Sequence, residues 1–334
     1  LAAAHRLAFS ALDGPAARAR IANSASEPLR RARFRHAVES RDLATRSVAA
    51  QELMCLYRAE RRPGALLDVF NRTDFRTIDE AWKIAAGWAR ISTGAPDEAR
   101  DILEDAHDDE LDLVDRATKM SLMAEVEKSS GQVGSIDRAK ALLKEAVAFL
   151  ADEDDERAER ERLRIEHDQA RLVHFFGEGA AAAAPLYEEI ARSWETIADS
   201  GLDQAITLRN LAEAEMAIGE QSEADKHFDA AADVIAKARD RLPPHTGHPV
   251  APEIEYLAGR LAICTGDEAA ATRAFERARS VGLATGNLMQ VAIVEARLFW
   301  RTVAAQPPKS YNDGDWAARA QALGELTHGR PDDD

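Results

Sequence analysis

The chain has 334 residues, of which 46% are hydrophobic and 31% are charged, a balance typical of a soluble protein. Its 59 acidic and 43 basic residues give a formal net charge of −16. Nucleic-acid-binding domains usually carry a basic surface, so we expect no nucleic acid among the partners of this chain.

Cysteine content and hydropathy indicate the compartment. Cys55 and Cys264 are the only cysteines, too few for a disulfide framework or a zinc site, and they fit a reducing compartment. No run approaches the roughly 18 consecutive apolar residues that cross a bilayer. We therefore expect a cytoplasmic protein without a membrane partner. The chain begins inside a helical pattern and lacks an initial Met, which we interpret as a fragment of a longer protein.

The N-terminal region, up to residue 72, predicts degenerate helical repeats. Gly14-Pro15 divides a first helix pair, because proline is tolerated at the first position of a helix. Further helices are predicted over residues 27–40, 43–61 and 65–71.

A regular array of helix pairs follows. No segment alternates polar and apolar residues as a strand does. The array begins with a first helix over residues 79–92, whose partner begins at Pro96. Helix pairs are then predicted over residues 111–150, 158–200, 202–242 and 251–282, and a further first helix over residues 287–305. A closing helix is predicted over residues 316–327, before an acidic tail. We predict an all-α chain with three regions, residues 1–72, 73–305 and 306–334.

One pattern, G-x4-A-x3-[F/L]-x2-A, recurs through the array. Alanine at both positions lets two antiparallel helices approach closely, and the Phe or Leu between them fills the remaining hollow. The glycine is expected to end the first helix in a left-handed conformation. The copies start 40 to 47 residues apart, at Gly94, Gly134, Gly177, Gly219 and Gly266. Small residues seven positions before such a glycine should form the opposing groove: Gly87, Ala170, Ala212 and Gly259.

The third copy departs from this pattern. Gly177 is followed at the expected spacing by Ala182 and Leu186, but Glu189 replaces the closing alanine and Pro185 lies inside the second helix. The spacing predicts that Ala182 and Leu186 pack between the helices of this pair.

The small residue, the glycine and the A-x3-F-x2-A run together resemble the tetratricopeptide repeat. The resemblance covers about residues 75–305, and the length of the units is similar to the long repeats of kinesin light chain and of the sensor domains of bacterial signal-transduction ATPases. It implies a right-handed α-solenoid, a superhelix of antiparallel helix pairs, with a C-terminal capping helix. With the Ala/Arg-rich composition, it also favours a bacterial source.

The resemblance also implies where a partner binds. In such repeats, first-helix residues that are not used for packing line a concave groove that holds a protein or peptide. Another domain of the same full-length chain is a second implied partner. Counting from the small residues gives the candidate groove residues Trp88, His167, Arg171, His174, Arg209, Asn210, Glu213, Tyr256, Arg260 and Arg297.

The arginines among these candidates would form a basic column in an otherwise acidic molecule. Because guanidinium groups pair with carboxylates in a bidentate manner, the column favours a partner with an acidic segment or a free carboxylate. The column would comprise Arg171, Arg209, Arg260 and Arg297. The alternative is that these arginines pair within the scaffold, with Asp168, Glu213 and Glu295.

No pattern of catalytic or metal-ligating residues is present. The sequence has no G-x4-GK[ST] phosphate loop, no G-x-S-x-G elbow and no H-E-x-x-H motif. His167, Arg171 and His174 share a helical face, but arginine is not a metal ligand. We expect no cofactor, no metal and no enzymatic activity.

The sequence therefore favours a non-catalytic, protein-binding scaffold that serves as the sensing or docking region of a larger signalling or defence protein. Three alternatives stay open. They are a structural module for self-assembly, a regulatory subunit of an associated protease or ATPase, and an enzyme with an unrecognised site on the groove.

Overall fold

A computed structural model describes residues 50, 53–54, 57, 63–72, 80–242, 250–285 and 288–304. Within these ranges the chain forms helices and turns and no strand, which confirms the predicted all-α class. None of the described helices has the length and apolar content that a transmembrane span requires. The chain divides into two compact units, residues 1–115 and residues 116–334.

The first unit centres on a helix that packs against both of its neighbours. Its helices are α1 (Pro63–Arg72), α2 (Glu80–Ser92) and α3 (Pro96–Glu104), followed by a 3-10 turn at Asp108–Glu110. Helix α2 contacts α1 and α3. Helix α3 begins at Pro96 as predicted, and the acidic side chains in its first turn stabilise the positive end of the helix dipole.

The second unit stacks antiparallel helix pairs. The second helices of its pairs are α5 (Ser135–Phe149), α7 (Ala180–Trp194), α9 (Asp225–Arg241) and α11 (Glu268–Thr285). The first helices are α4 (Leu113–Ser129), α6 (Glu156–Phe176), α8 (Gly201–Ser222), α10 (Val250–Cys264) and α12 (Leu288–Ala304). Helix α4 begins just before the boundary between the two units at residue 116.

Contacts between pairs turn this unit into a solenoid. Each second helix packs against the first helix of the next pair, as α7 does on α8 and α9 does on α10. The first helices α6, α8, α10 and α12 also contact one another in sequence. Successive first helices from α6 to α12 therefore lie side by side along this unit.

The recurring pattern forms the seam between paired helices, as predicted. Ala271, Phe275 and Ala278 have no exposed surface. A Cβ built on Gly259 would lie 2.5 Å from the Phe275 ring, so α10 and α11 approach at a distance that only glycine permits. In the first unit, a Cβ on Gly87 would meet Leu103 at 2.6 Å in the same way.

The glycines that follow the first helices behave as predicted in two pairs. Gly94 and Gly266 have φ angles of 80° and 78°, the left-handed conformation of a helix C-terminus. Gly134 is also left-handed, with φ of 76°, but it lies directly before α5, because α4 already ends at Ser129. The prediction is wrong for Gly219, which lies inside α8, where its missing Cβ leaves room for Phe228. Helix α8 continues to Ser222, and Glu223 adopts the left-handed conformation instead, with φ of 52°.

The predicted register of the third pair is wrong by one residue. Ala183 and Tyr187 have no exposed surface and Ile190 is buried, whereas Leu186 is exposed. The cause is the longer turn at Gly177-Glu178-Gly179, in which Gly179 rather than Gly177 has a positive φ of 88°. The added residue rotates α7 so that Tyr187, and not Leu186, fills the hollow against α6 and α8.

Some sequence predictions lie outside the described residues. They are the first helix pair around Gly14-Pro15, the helix over residues 27–40, most of the helix over 43–61 and the closing helix over 316–327. The region boundaries at residues 72 and 305 stay predictions.

Candidate functional site

The first helices of the second unit carry a connected row of polar side chains, which we call the polar row. Its members recur at spacings of three, four and seven residues and therefore share one face of each helix. Contacts between neighbouring first helices join its members in pairs and in one larger cluster. The polar row comprises Glu125 on α4; Arg164, His167, Asp168 and Arg171 on α6; Asp203, Arg209, Asn210, Glu213 and Glu220 on α8; Glu253, Tyr256 and Arg260 on α10; and Arg297 on α12.

Arginines of α6 connect it to both neighbouring first helices. Arg171 Nη1 lies 3.6 Å from the Glu125 carboxylate of α4 and 3.2 Å from Asp168 of its own helix. Arg164 donates through Nε and Nη2 to both carboxylate oxygens of Asp203 on α8, at 3.2 and 3.1 Å. This bidentate pair bridges α6 and α8.

A histidine and an asparagine form the centre of the α6–α8 contact. Arg209 Nη1 donates to Asn210 Oδ1 at 2.5 Å. That contact turns the amide nitrogen of Asn210 toward His167 Nε2, 2.6 Å away, which must accept and is therefore unprotonated. About one-eighth of the His167 side chain is exposed, at 12%.

The His167 imidazole is held neutral. Burial, reinforced by the charges of Arg171 and Arg209, lowers the pKa of His167 to about 3, against the opposing effect of Asp203 and Glu125. His167 is therefore a hydrogen-bond acceptor within the polar row rather than a third cation beside the two arginines.

Substituting His167→Gln should make stability less sensitive to acid. An unfolded histidine takes up a proton below about pH 6.5, whereas folded His167 stays neutral down to about pH 3. The unfolded state thus binds more protons, and this contribution to stability is lost as the pH falls from 6.5 toward 3. From pH 8 to pH 5 the wild type should lose about 2 kcal/mol more than the variant. Urea unfolding followed by circular dichroism measures the difference, and coinciding pH profiles would contradict this account.

The α8–α10 contact is a cluster of two arginines and three carboxylates. Arg209 lies 2.9 Å from Glu213 through Nη1 and 3.3 Å from Glu253 through Nε. Arg260 lies 3.5 Å from Glu213 and 3.5 Å from Glu220. Glu213 is thus shared by both guanidinium groups, while Glu253 and Glu220 each contact one of them.

The arginines predicted to form a basic column are paired within the chain. Arg171, Arg209 and Arg260 contact carboxylates of the polar row, including the predicted Asp168 and Glu213. The predicted partner Glu295 instead pairs with Arg279. Arg297 is exposed, and its Nε donates to the Tyr256 hydroxyl at 3.3 Å. These ion pairs remove the free positive charge on which an acidic partner was predicted.

Two candidates lie outside this network. Trp88 belongs to α2 of the first unit, where it is partly buried against the core around Ala85 and Ala89. His174 lies one turn beyond Arg171, stacked on Phe175 with ring centroids 4.2 Å apart. Burial, with a smaller effect of Arg209, lowers the pKa of His174 despite the nearby Glu213.

A buried residue of α7 was missed by the sequence analysis. Tyr187 packs between the two histidines of α6, its ring 5.7 Å from that of His167 and 6.0 Å from that of His174. Burial raises the pKa of its hydroxyl, which also lies within the electrostatic influence of Arg171 and Glu213. The spacing Ala183-x3-Tyr187-x2-Ile190 could have indicated it, because it repeats the pattern one residue after the predicted register through Ala182 and Leu186. Arg164, Asp203, Glu220 and Glu253 were missed because pairing between stacked helices cannot be read from one helix.

The described residues contain no group of three or more His, Cys, Asp or Glu side chains placed to hold a metal ion. Cys264 is a free, exposed thiol at the end of α10, 3.5 Å from Glu220. The polar row can offer hydrogen bonds and charges to a ligand along the first helices.

Comparison with known proteins places the fold. No family model and no curated protein matches the chain. Among solved structures, a signal-transduction ATPase with numerous domains from Pyrococcus horikoshii, which carries a tetratricopeptide repeat sensor, matches with a TM-score of 0.53 and 13% identity. The match covers 83% of this chain and 40% of that one.

Two further solved structures are similar. BtubC from P. vanneervenii matches with a TM-score of 0.47 and 18% identity, over 74% of this chain and 93% of that one. A kinesin light chain protein with nearly identical TPR-like repeats, from Podosopora anserina, matches with a TM-score of 0.43 and 21% identity, over 61% and 94%. The first match, together with the helix pairs described above, confirms the predicted fold as a TPR-like α-solenoid.

Proposed function

We propose that this chain is a non-catalytic scaffold that binds a segment of a partner protein along the polar row. The observation that supports the proposal is the row itself, a connected set of charged and amide side chains along four stacked contacts between first helices. Its arginines keep part of their surface open, at 38% for Arg171 and 25% for Arg209 and Arg260. Partly open polar groups held in place by neighbours are suited to orienting a ligand.

The biological setting follows from the same proposal. The scaffold serves as the sensing or docking region of a larger cytoplasmic signalling or defence protein, in which another domain of the same chain can occupy the polar row. A regulatory subunit of an associated protease or ATPase would use the same surface. A partner carboxylate fits the α12 end, where Arg297 contacts a hydroxyl and no carboxylate among the described residues.

Self-assembly is a second candidate, favoured by apolar side chains at the turns between paired helices. Val133 is fully exposed, and Phe175 and Phe176 are 49% and 51% exposed. Exposed aromatic pairs are common at protein interfaces. Sedimentation velocity of the wild type and of Phe175→Ser/Phe176→Ser tests this candidate: a concentration-dependent dimer that the variant loses would support it.

A peptide selection tests the leading proposal. Peptides enriched from a random display library on the wild-type chain should bind Arg171→Trp/Glu213→Trp at least about tenfold more weakly, because indoles obstruct the polar row while the net charge stays the same. The matched control is Glu188→Trp/Arg192→Trp, an exposed ion pair on α7. Circular dichroism verifies that both variants fold. Equal binding to wild type, variant and control would show that the polar row is not the binding surface.

A further inference from the structure

Two arginines share one carboxylate where α9, α10 and α11 meet. Arg239 of α9 donates through Nε and Nη2 to the two carboxylate oxygens of Glu255 on α10, at 2.7 Å each. Arg277 of α11 donates through Nε to the same carboxylate, at 2.9 Å. This contact therefore holds two positive charges and one negative charge.

The remaining donors of these arginines are open to solvent. Arg239 alone satisfies both oxygens of Glu255. The Arg239 and Arg277 side chains are 37% and 54% exposed, and neither has a second carboxylate partner among the residues that the structure describes. The Nη groups of Arg277 can thus bind an added anion without displacing Glu255.

A third arginine lies on the same side of α11. Arg273 precedes Arg277 by one helical turn, is exposed, and forms no ion pair within the described part of the chain. Arg239, Arg273 and Arg277, which we call the arginine patch, therefore hold three positive charges around one carboxylate.

The other acidic residues of these helices are turned away from the arginine patch. Glu276 lies about 100° around α11 from Arg277, toward the side on which Arg279 pairs with Glu295 of α12. The acidic residues of the outward ridge of α9 lie about 80–120° around that helix from Arg239. They are Asp229, Asp233 and Asp240, and in the described structure none of them pairs with the arginine patch.

An acidic run of the same chain can reach this surface. Outside the described residues, the one run of three consecutive acidic residues is Asp332-Asp333-Asp334. Helix α12 follows α11 and packs against it in the opposite direction, so Ala304 lies at the same edge as the start of α11. The segment from Ala304 to Asp332 spans up to roughly 90 Å when extended, whereas α11 is about 27 Å long.

We propose that the arginine patch docks the acidic run Asp332-Asp333-Asp334 of its own chain through ion pairs between carboxylates and guanidinium groups. Exposed ion pairs are weak between separate molecules, but a tether supplies an effective concentration of about 1 mM or more. The docked run neutralises the unmatched positive charge and keeps it from other acidic ligands. The inference goes beyond the proposed function and does not depend on it, because α9 and α11 are second helices and lie outside the polar row.

Zero-length cross-linking tests this contact. Arg273→Lys keeps the positive charge and adds an amine that a carbodiimide joins to a carboxylate in contact with it. The yield of products with residues 332–334 should exceed that of Arg279→Lys about tenfold, because position 279 is within the same reach but already faces Glu295. In 1 M NaCl the difference should disappear, since the Debye length falls to about 3 Å. Mass spectrometry of digests measures the yields.

A charge-removing variant in the Arg273→Lys background identifies the partner of the run. Arg239→Gln/Glu255→Gln/Arg277→Gln removes the unmatched charge together with its carboxylate and should lower the yield about threefold. Arg241→Gln/Glu195→Gln removes a balanced ion pair on the other side of α9 and should leave the yield unchanged. Circular dichroism verifies that the variants fold.

Three results would overturn the proposal. The first is an equal yield at positions 273 and 279, and the second is a triple variant that cross-links as well as its background. The third is a product that joins ¹⁵N-labelled to unlabelled chains in a mixture, which would place a second copy on the arginine patch.

Discussion

Replacing Phe275 by alanine should lower the free energy of unfolding by about 3–5 kcal/mol, the range for buried aromatic residues. The Phe275 ring has no exposed surface, and it lies against Gly259 so closely that even a Cβ there would overlap it. The Tyr256 ring packs on it as well, with centroids 5.7 Å apart. Urea unfolding followed by circular dichroism measures the loss.

Phe176→Ala is the matched control, since it removes the same atoms from a site that is half exposed, at 51%. It should change the free energy of unfolding by no more than about 0.5 kcal/mol, as most surface substitutions do. Equal losses at the two positions would show that the recurring pattern does not form the seam between the helices.

Replacing Lys83 by methionine should cost about 3–5 kcal/mol in the first unit, because it leaves a buried carboxylate without its cation. Lys83 Nζ lies 2.9 Å from Glu80 and 2.9 Å from Asp105, and the Lys83 and Glu80 side chains are only 8% and 10% exposed. Burial alone would lower the pKa of Lys83, but its hydrogen bonds with Asp105 and Glu80 raise it above the ordinary value. The Lys83–Asp105 ion pair joins the start of α2 to the residue that follows α3.

The double variant Lys83→Met/Glu80→Gln should recover part of this loss. It removes the uncompensated charge, and the glutamine oxygen can still accept the hydrogen bond from the His107 amide, 2.9 Å from Glu80 Oε2. Lys140→Met, at an exposed position on α5, serves as the control. Thermal unfolding of the three variants measures this recovery. A double variant that is no more stable than Lys83→Met would show that the uncompensated charge of Glu80 does not cause the loss.

Helix pairs and their seams could be predicted because they depend on spacing along one chain segment. Phe275 and Gly259 are placed by the period of an α-helix and by the need for close approach at a crossing. The register of the third pair was predicted wrongly because one extra turn residue before Ala180 rotates α7. The sequence alone allows two registers, one that buries Leu186 and one that buries Tyr187, and the structure has the second. The role of Gly219 was predicted wrongly because a glycine can either end a helix or allow close packing inside one, as it does here against Phe228.

The chemistry of the polar row was harder to predict. The positions of Arg209 and Arg260 on the first helices followed from the repeat, but their charge state as a group did not. Whether an arginine is free depends on carboxylates about one repeat away, such as Glu253 for Arg209. Which residues of stacked helices meet is fixed by the tertiary structure, so the sequence suggested a basic column and the structure contains a chain of ion pairs.

The location of a bound peptide tests the central claim most directly. A library-selected peptide with a photoreactive benzophenone residue at successive positions is cross-linked to the wild-type chain, and the products are mapped by mass spectrometry. The account predicts cross-links on the first helices α6, α8 and α10, at or beside Arg171, Glu213 and Arg260. Cross-links concentrated on the second helices α7, α9 and α11 would contradict it.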